Sequence, residues 1–403
     1  MSRPADGPWL SAADAARLLR VTRATLYAYV SRGYVRSQAT PGPARERHYS
    51  RDDVERLRRR VEERRDPGKA AERALQWGVP VLESAITAID GVRLYYRGHE
   101  ASALARTRSV AEVASLIWTG HFDGAPTDVI ARRAPAAQVA GAELSFTARA
   151  HVLLATASAG DPLAFDLRPT GVASTGWRIL SLLARAATGV AGAGRAVEAQ
   201  LGQAWRVGTP GVGVIRQALI LCADHELNVS SFTARCVASA GSNPYAVVTA
   251  GLAALEGTRH GGTTARVESM LATLRHSRQV PIAIGERLRR GEQIDGFGHP
   301  LYREGDPRAA ALLDVLRTAY PRSPELAFVL RVAKDAGAAL RERPNLDFAL
   351  ACVARVLRLP PHSALTLFAI GRAIGLIGHA IEQYATGQQI RPRAKYVGGA
   401  PHG

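Results

Sequence analysis

The chain has 403 residues, 47% of them hydrophobic and 22% charged, proportions that fit a globular protein and exclude a disordered or fibrous one. Its formal net charge of +17 resembles a nucleic-acid signature, yet lysine occurs only at Lys69, Lys334 and Lys395, an arginine bias of the kind a GC-rich coding sequence produces. Cys222, Cys236 and Cys352 form no CxxC pair and are odd in number, which argues against a disulfide scaffold or a cysteine metal site and for thiols buried in a reducing compartment.

The basic excess is densest at the start, where residues 1–70 hold 16 Lys and Arg against 9 Asp and Glu. There, WLSAADAARLLRVTRATLYAYVSRGYVRS predicts two short helices. Ser11 caps the first, with Ala12, Ala15, Ala16 and Leu19 inward; Thr22 caps the second, with Leu26 and Tyr29 inward and Gly33 ending it. An extended piece, ATPGPARERHYS, leads to a third helix from Ser50, with Asp53 as its capping-box partner. This order resembles the winged helix-turn-helix of the excisionase and MerR-type DNA-binding families. The resemblance implies DNA as a partner, with Thr22, Arg23, Thr25 and Tyr27 near base edges and Arg45, Arg47 and His48 on a wing against phosphates. A small three-helix module also serves as an interaction domain, and the arginines of RLRRRVEERR read mostly as a solvated face.

Asp66, Pro67 and Gly68 break the third helix and open a linker. Beyond it the chain reads as almost entirely helical, with one extended piece or hairpin at GVRLYYRG, Gly91 to Gly98. No segment carries the pattern of a signal peptide, and a cytoplasmic location is expected. ALTLFAIGRAIGLIGHAI, Ala364 to Ile381, has nearly the length of a membrane span, but Arg372 and His379 interrupt it. A buried core helix is the better reading, and it leaves Arg372 in need of an anionic partner.

Four clusters place polar groups where a helical core should lack them. They are DHELNVSSFTARCVAS with His225; EGTRHGGTTARVESM with His260 beside Gly261 and Gly262; DGFGHPLYREGDPRA with His299, Arg303 and Arg308; and PNLDFALACVARVL with Asp347, followed by Arg372 and by Arg391 in QQIRPRAKYVGG. Singly, each has a simpler explanation: a capping histidine, a loop histidine, or a first-turn aspartate favoured by the helix dipole.

Together and in this order they resemble the citrate synthase family over about four-fifths of the chain. The resemblance implies an all-α fold in which 80–261 and 352–403 form a large helical domain and 262–351 a small one, after a helix-turn-helix-like domain at 1–66 and a linker at 67–79. It implies a homodimer, oxaloacetate and acyl-CoA as substrates, and neither a metal nor a cofactor beyond the acyl-CoA itself. Asp347 matches the base that removes a proton beside the thioester, and its apolar neighbours favour a raised pKa. His260 matches the neutral histidine that donates to the developing enolate oxygen, with Gly261 and Gly262 allowing close approach. His299 matches the donor to the second substrate's carbonyl. His225, Arg308 and Arg372 match groups that bind the dicarboxylate, and Arg391 matches the arginine lent to the neighbouring subunit. Arg303 matches a CoA-phosphate contact, and Gly296, Phe297 and Gly298 lie where the family's backbone meets adenine.

The pattern departs from the family at Thr263 and Thr264, where Ala and often Asn are usual, and at Pro300, where many members have Arg. Both lie near CoA and bear on acyl-chain choice. Three functions therefore compete: a citrate synthase, a 2-methylcitrate synthase using propionyl-CoA, and a ligand-sensing DNA-binding regulator derived from the enzyme. A regulator would be expected to have lost Asp347 or His260; both are present.

Overall fold

The computed structural model describes residues 8–39, 47–65, 82–124, 144–190, 195–275, 279–394 and 396–399, and over 59–65 the backbone alone. The chain divides into two compact units, Met1–Glu83 and Ser84–Gly403.

The first unit contains α1 (Ala12–Leu19), α2 (Arg23–Ser31) and α3 (Arg51–Arg65) with an antiparallel sheet in the order β1 (Trp9–Leu10), β3 (Arg47–Ser50), β2 (Ser37–Ala39). Both expected caps form: the Ser11 hydroxyl accepts the Asp14 N–H at 3.1 Å, and Thr22 that of Thr25 at 3.2 Å. Gly33, at φ +75°, ends α2 as expected. Leu10, Ala15, Ala16, Leu19, Leu26, Val35, Tyr49 and Val54 make the small core, with Tyr29 partly buried against it. At α3 the expected capping box is half made. Ser50 accepts the Asp53 N–H at 3.4 Å, but the Asp53 carboxylate turns to Arg36 (2.8 Å) and Arg56 (2.7 Å), charges that a serine amide cannot rival. The tip of the β2–β3 hairpin, with Arg45, and the expected linker over 67–79 lie outside the described residues.

The second unit opens with antiparallel β4 (Thr87–Ile89), β5 (Leu94–Tyr96) and β6 (His99–Glu100), so the GVRLYYRG stretch is a hairpin element as its composition suggests. Helices follow: α4 (Ala101–Thr107), α5 (Val110–Thr119), α6 (Phe146–Gly160), α7 (Pro169–Thr188), α8 (Val197–Ala204), α9 (Thr209–Leu221), α10 (Val229–Ser239), α11 (Pro244–Leu255), α12 (Gly262–Arg275), α13 (Val280–Arg289), α14 (Pro307–Ala319), α15 (Pro324–Leu340), α16 (Leu346–Val356) and α17 (Ser363–Thr386). Local chemistry marks their starts. Ser109 and Glu112 form a complete capping box on α5, and Asn243, Asp306 and Ser323 cap α11, α14 and α15 just before a proline at the first helical position.

Helix α17 is the axis of this unit. Its most apolar 18-residue window is 94% buried, so it is the core helix expected and not a membrane span. It packs against α7, α9, α10, α11 and α16. Glycine permits one crossing to be unusually close: a Cβ on Gly375 would lie 2.3 Å from the Ala223 carbonyl oxygen, and one on Gly371 2.5 Å from that of Leu219. Residues 219–224 therefore lie directly on the α17 backbone, which brings Arg372 and His225 to the same region of the core.

Candidate active site

The turn between α9 and α10 carries His225. Asn228 caps α10 through its side chain, and His225 sits just ahead of it, buried, with Nε2 2.9 Å from the Tyr302 hydroxyl. The His299 ring stands 5.0 Å from that of His225 and 4.9 Å from that of Tyr302, centroid to centroid. Burial, and then the Arg308 charge, hold His225 well below the ordinary histidine range and bring His299 to about 4.

His260 lies between α11 and α12. Its Nε2 is 3.0 Å from the Ser230 hydroxyl, which is itself 2.6 Å from Asn228 Oδ1, and its ring meets Phe368 of α17 edge-on at 5.9 Å. Burial, reinforced by Arg372, lowers it to about 4. The adjoining glycines serve a tight internal turn. A Cβ on Gly261 would lie 2.7 Å from the Leu255 carbonyl and 2.9 Å from Leu365 Cδ1, and one on Gly262 3.0 Å from the Gly257 carbonyl. Close approach is indeed their use, but here chain approaches chain.

Asp347 is the second residue of α16, and Asn345 caps that helix, its Oδ1 accepting the Asp347 N–H at 3.1 Å. The strand-like residues ahead of the cap pair with the glycine loop: Asn345 N–H donates to Gly296 O and Gly298 N–H to Arg343 O, both at 2.9 Å. Gly296 has φ +92°, and a Cβ there would stand 3.0 Å from both Phe348 and Val267, so only glycine lets the loop pass under α16. Asp347 Oδ1 is buried without a hydrogen bond, and burial raises the carboxyl to about 7 against the opposing pull of Arg308.

Two buried arginines complete the cluster. Arg308 is held by Asp306, whose carboxylate accepts from Nε at 2.9 Å and Nη2 at 2.8 Å; burial pulls its pKa down, but Asp306 outweighs that and raises it. Arg372 donates Nε to the Cys222 carbonyl at 3.0 Å and lies 5.2 Å from the Phe368 ring centre, while its Nη1 has no hydrogen bond. Burial lowers Arg372, with Asp224 opposing.

His225, His260, His299, Arg308, Asp347 and Arg372 are thus brought together, linked through Phe368, Tyr302 and mutual electrostatic coupling. Gly296 and Phe297 line an adjoining cavity of about 510 Å³ with Thr263, Asp295 and Asn345. Arg303 and Arg391 are exposed and outside the buried cluster of the single chain. A larger cavity, about 670 Å³, lies elsewhere among Phe165, Pro169, Ala238, Tyr384 and Gln388, and none of the expected site residues line it. Sequence reasoning assigned no role to Asp224, Ser230, Tyr302, Asp306 or His379. Each sits inside a quoted motif or the apolar helix, but the partner that reveals its use is distant in sequence or is a backbone atom.

Residues 74–393 match the family described as "Citrate synthase, C-terminal domain", and residues 9–61 match a helix-turn-helix domain. The chain is 36% identical over 190 residues to citrate synthase 2 of Bacillus subtilis (strain 168), covering 46% of this chain and 51% of that protein. It is 32% identical over 191 residues to the citrate/2-methylcitrate synthase of the same organism, covering 46% and 51%. The chain spans about half the length of the relatives it matches. The fold resembles that of the citrate synthase of Thermoplasma acidophilum, solved as a ternary complex with carboxymethyl coenzyme A and oxaloacetate, at a TM-score of 0.65 and 24% identity over 82% of this chain and 97% of that one. Matched along roughly four-fifths of its length, this chain belongs to the citrate synthase family.

Proposed function

We propose that the protein condenses an acyl-CoA, acetyl-CoA first, with oxaloacetate and water to give citrate and free CoA. The observation that carries this reading is the pair of buried, unpaired atoms in one cluster, Asp347 Oδ1 and Arg372 Nη1. An orphaned acceptor and an orphaned donor are costly in a core unless a ligand satisfies them. The orphaned arginine nitrogen suits a carboxylate, and the desolvated aspartate suits a weakly acidic C–H.

In this reading Asp347, ionised near neutral pH, takes the proton from the carbon beside the thioester carbonyl. His260 donates to the oxygen on which negative charge develops. Because its Nε2 faces Ser230, the donating nitrogen is Nδ1, so the Ser230 hydroxyl must give its hydrogen to His260 and release Asn228. The new carbon–carbon bond forms at the keto carbon of oxaloacetate, whose oxygen takes a proton from His299. Arg308, Arg372 and His225 hold its carboxylates, and Arg391 of a second copy in a homodimer adds a third cation. Water then cleaves the thioester, releasing the thiol of CoA. The acyl group is open to propionyl-CoA as an alternative, since one methylene is worth only about 1–3 kcal/mol in a hydrophobic pocket.

The test is thiol release with oxaloacetate and acetyl-, propionyl- and longer acyl-CoA. Turnover ranks the donors. No thiol release, with the melting temperature still raised by oxaloacetate, would replace the enzyme by a sensor.

The first unit favours a second partner, DNA. Thr22 and Arg23 are exposed at the start of α2, Tyr27 is 52% exposed, and Arg47 is exposed at the base of the wing. Gel shifts at two salt concentrations test it, and binding insensitive to salt would remove DNA from the reading.

A further inference from the structure

Three successive residues of the α9–α10 turn are fastened to one face of α17. The Cys222 carbonyl accepts from Arg372 Nε at 3.0 Å, the Ala223 carbonyl accepts the Gly375 N–H at 2.9 Å, and Asp224 Oδ1 lies 3.2 Å from His379 Nε2. Positions 372, 375 and 379 follow helical spacing, so they form one row. The last fastening joins two wholly buried side chains. Asp224 also accepts from the Thr87 hydroxyl at 2.6 Å and the Ser231 hydroxyl at 3.4 Å. Burial pushes the Asp224 carboxyl up, but His379, Arg372 and Thr87 outweigh it and hold it below its usual value. An ionised Asp224 only accepts, so the shared hydrogen sits on His379 Nε2, and His379 Nδ1 has no partner.

A buried carboxylate–imidazole pair with an orphaned nitrogen is a poor device for stability alone, because apolar residues of equal volume commonly serve a core as well. Its place suggests another use. Asp224 directly precedes His225, and His379 lies two turns beyond Arg372 on the same helix. We propose that His379, through Asp224, is a positioning residue that holds the His225 turn in register with Arg372, so that the two groups converge on one dicarboxylate. This inference rests on the condensing-enzyme reading for its consequence, and on geometry alone for the fastening itself.

The experiment compares His379→Leu, which removes the donor, with His379→Gln, whose amide places an N–H near the original Nε2. In ligand-free full-length protein, hydrogen exchange of peptides covering residues 222–228 rises in H379L and stays at the wild-type level in H379Q. In steady-state assays H379L raises the KM for oxaloacetate by about tenfold to a hundredfold, the scale of a displacement of about 1 Å, while the KM for acetyl-CoA moves less than about twofold. H379Q restores oxaloacetate binding. Unchanged exchange in H379L, or equal loss in H379L and H379Q, overturns the proposal. A wild type without turnover defeats the condensing reading, while the exchange comparison still decides the fastening.

Discussion

Asp306 and Arg308 are joined by three hydrogen bonds across two residues of chain: the Asp306 carboxylate accepts from Nε, Nη2 and the backbone N–H of Arg308 at 2.9, 2.8 and 3.0 Å. The same carboxylate accepts the Leu346 N–H at 3.1 Å, at the first residue of α16. One buried anion therefore fixes both a guanidinium of the site and the helix end that carries Asp347. Asp306→Ala leaves that guanidinium buried without its counter-charge, and the expected loss of stability is about 3–5 kcal/mol by urea denaturation. A loss below about 1 kcal/mol would mean that the pair is held apart from the core's cohesion.

In the proposed reaction, Asp347 sets stability against activity. Its folded pKa of about 7 lies above the value of about 3.9 in an unfolded chain, so the native state keeps a proton that the unfolded state releases. Stability from this group is full below about pH 4 and is lost as pH rises to about 7, by at most about 4 kcal/mol. Asp347→Asn is expected to abolish thiol release and to raise the melting temperature at pH 8 more than at pH 5. An equal effect at both pH values would show that the carboxylate carries no such penalty.

The imidazoles act in the opposite sense. His225, His260 and His299 are lowered by burial, so they are neutral when folded and protonate on unfolding below about pH 6.5. Their contribution is present above that pH and declines as pH falls, for His260 and His299 toward about 4. With Asp347 opposing by one proton, these four groups give a net uptake of about two protons on unfolding near pH 5. Urea midpoints at pH 5 and pH 6 measure it directly; no pH dependence across that interval would refute the neutral assignment.

At the first unit, Arg47 is expected to meet phosphate. The replacement Arg47→Ala should lower the slope of log binding against log salt by about 1 while leaving the unit folded, since that side chain is not part of its small core. A slope that does not change would place the DNA contacts elsewhere.

Much of this was legible in the sequence because the signals are local. Ser11 and Thr22 stand next to the helix starts they cap, and Gly91 and Gly98 flank β5 with positive φ. The residues of the charged cluster were legible only as a set, through motif order, since each alone suits a helix end. What escaped was the second layer. Asp224 and His379 are 155 positions apart, Trp118 donates its indole N–H to Ile374 across 256, and Gly375 reads in sequence as a weak point in a helix. Its reason appears only when the Ala223 carbonyl is found 2.3 Å from where a side chain would begin. Asp53 was legible as a cap but not as a competitor's target, because Arg36 approaches it from another element.

The close crossing at Gly371 and Gly375 has an evolutionary side. Where backbone lies on backbone, no side chain can be trimmed or enlarged to reshape the space, and almost any replacement collides with a carbonyl. Thr263, Phe297 and Leu288, by contrast, border a cavity with their side chains, each alterable by single steps. On the condensing-enzyme reading, descendants of such a chain are free to drift toward new thioesters, while the keto acid stays the inherited, conservative half of the proposed reaction.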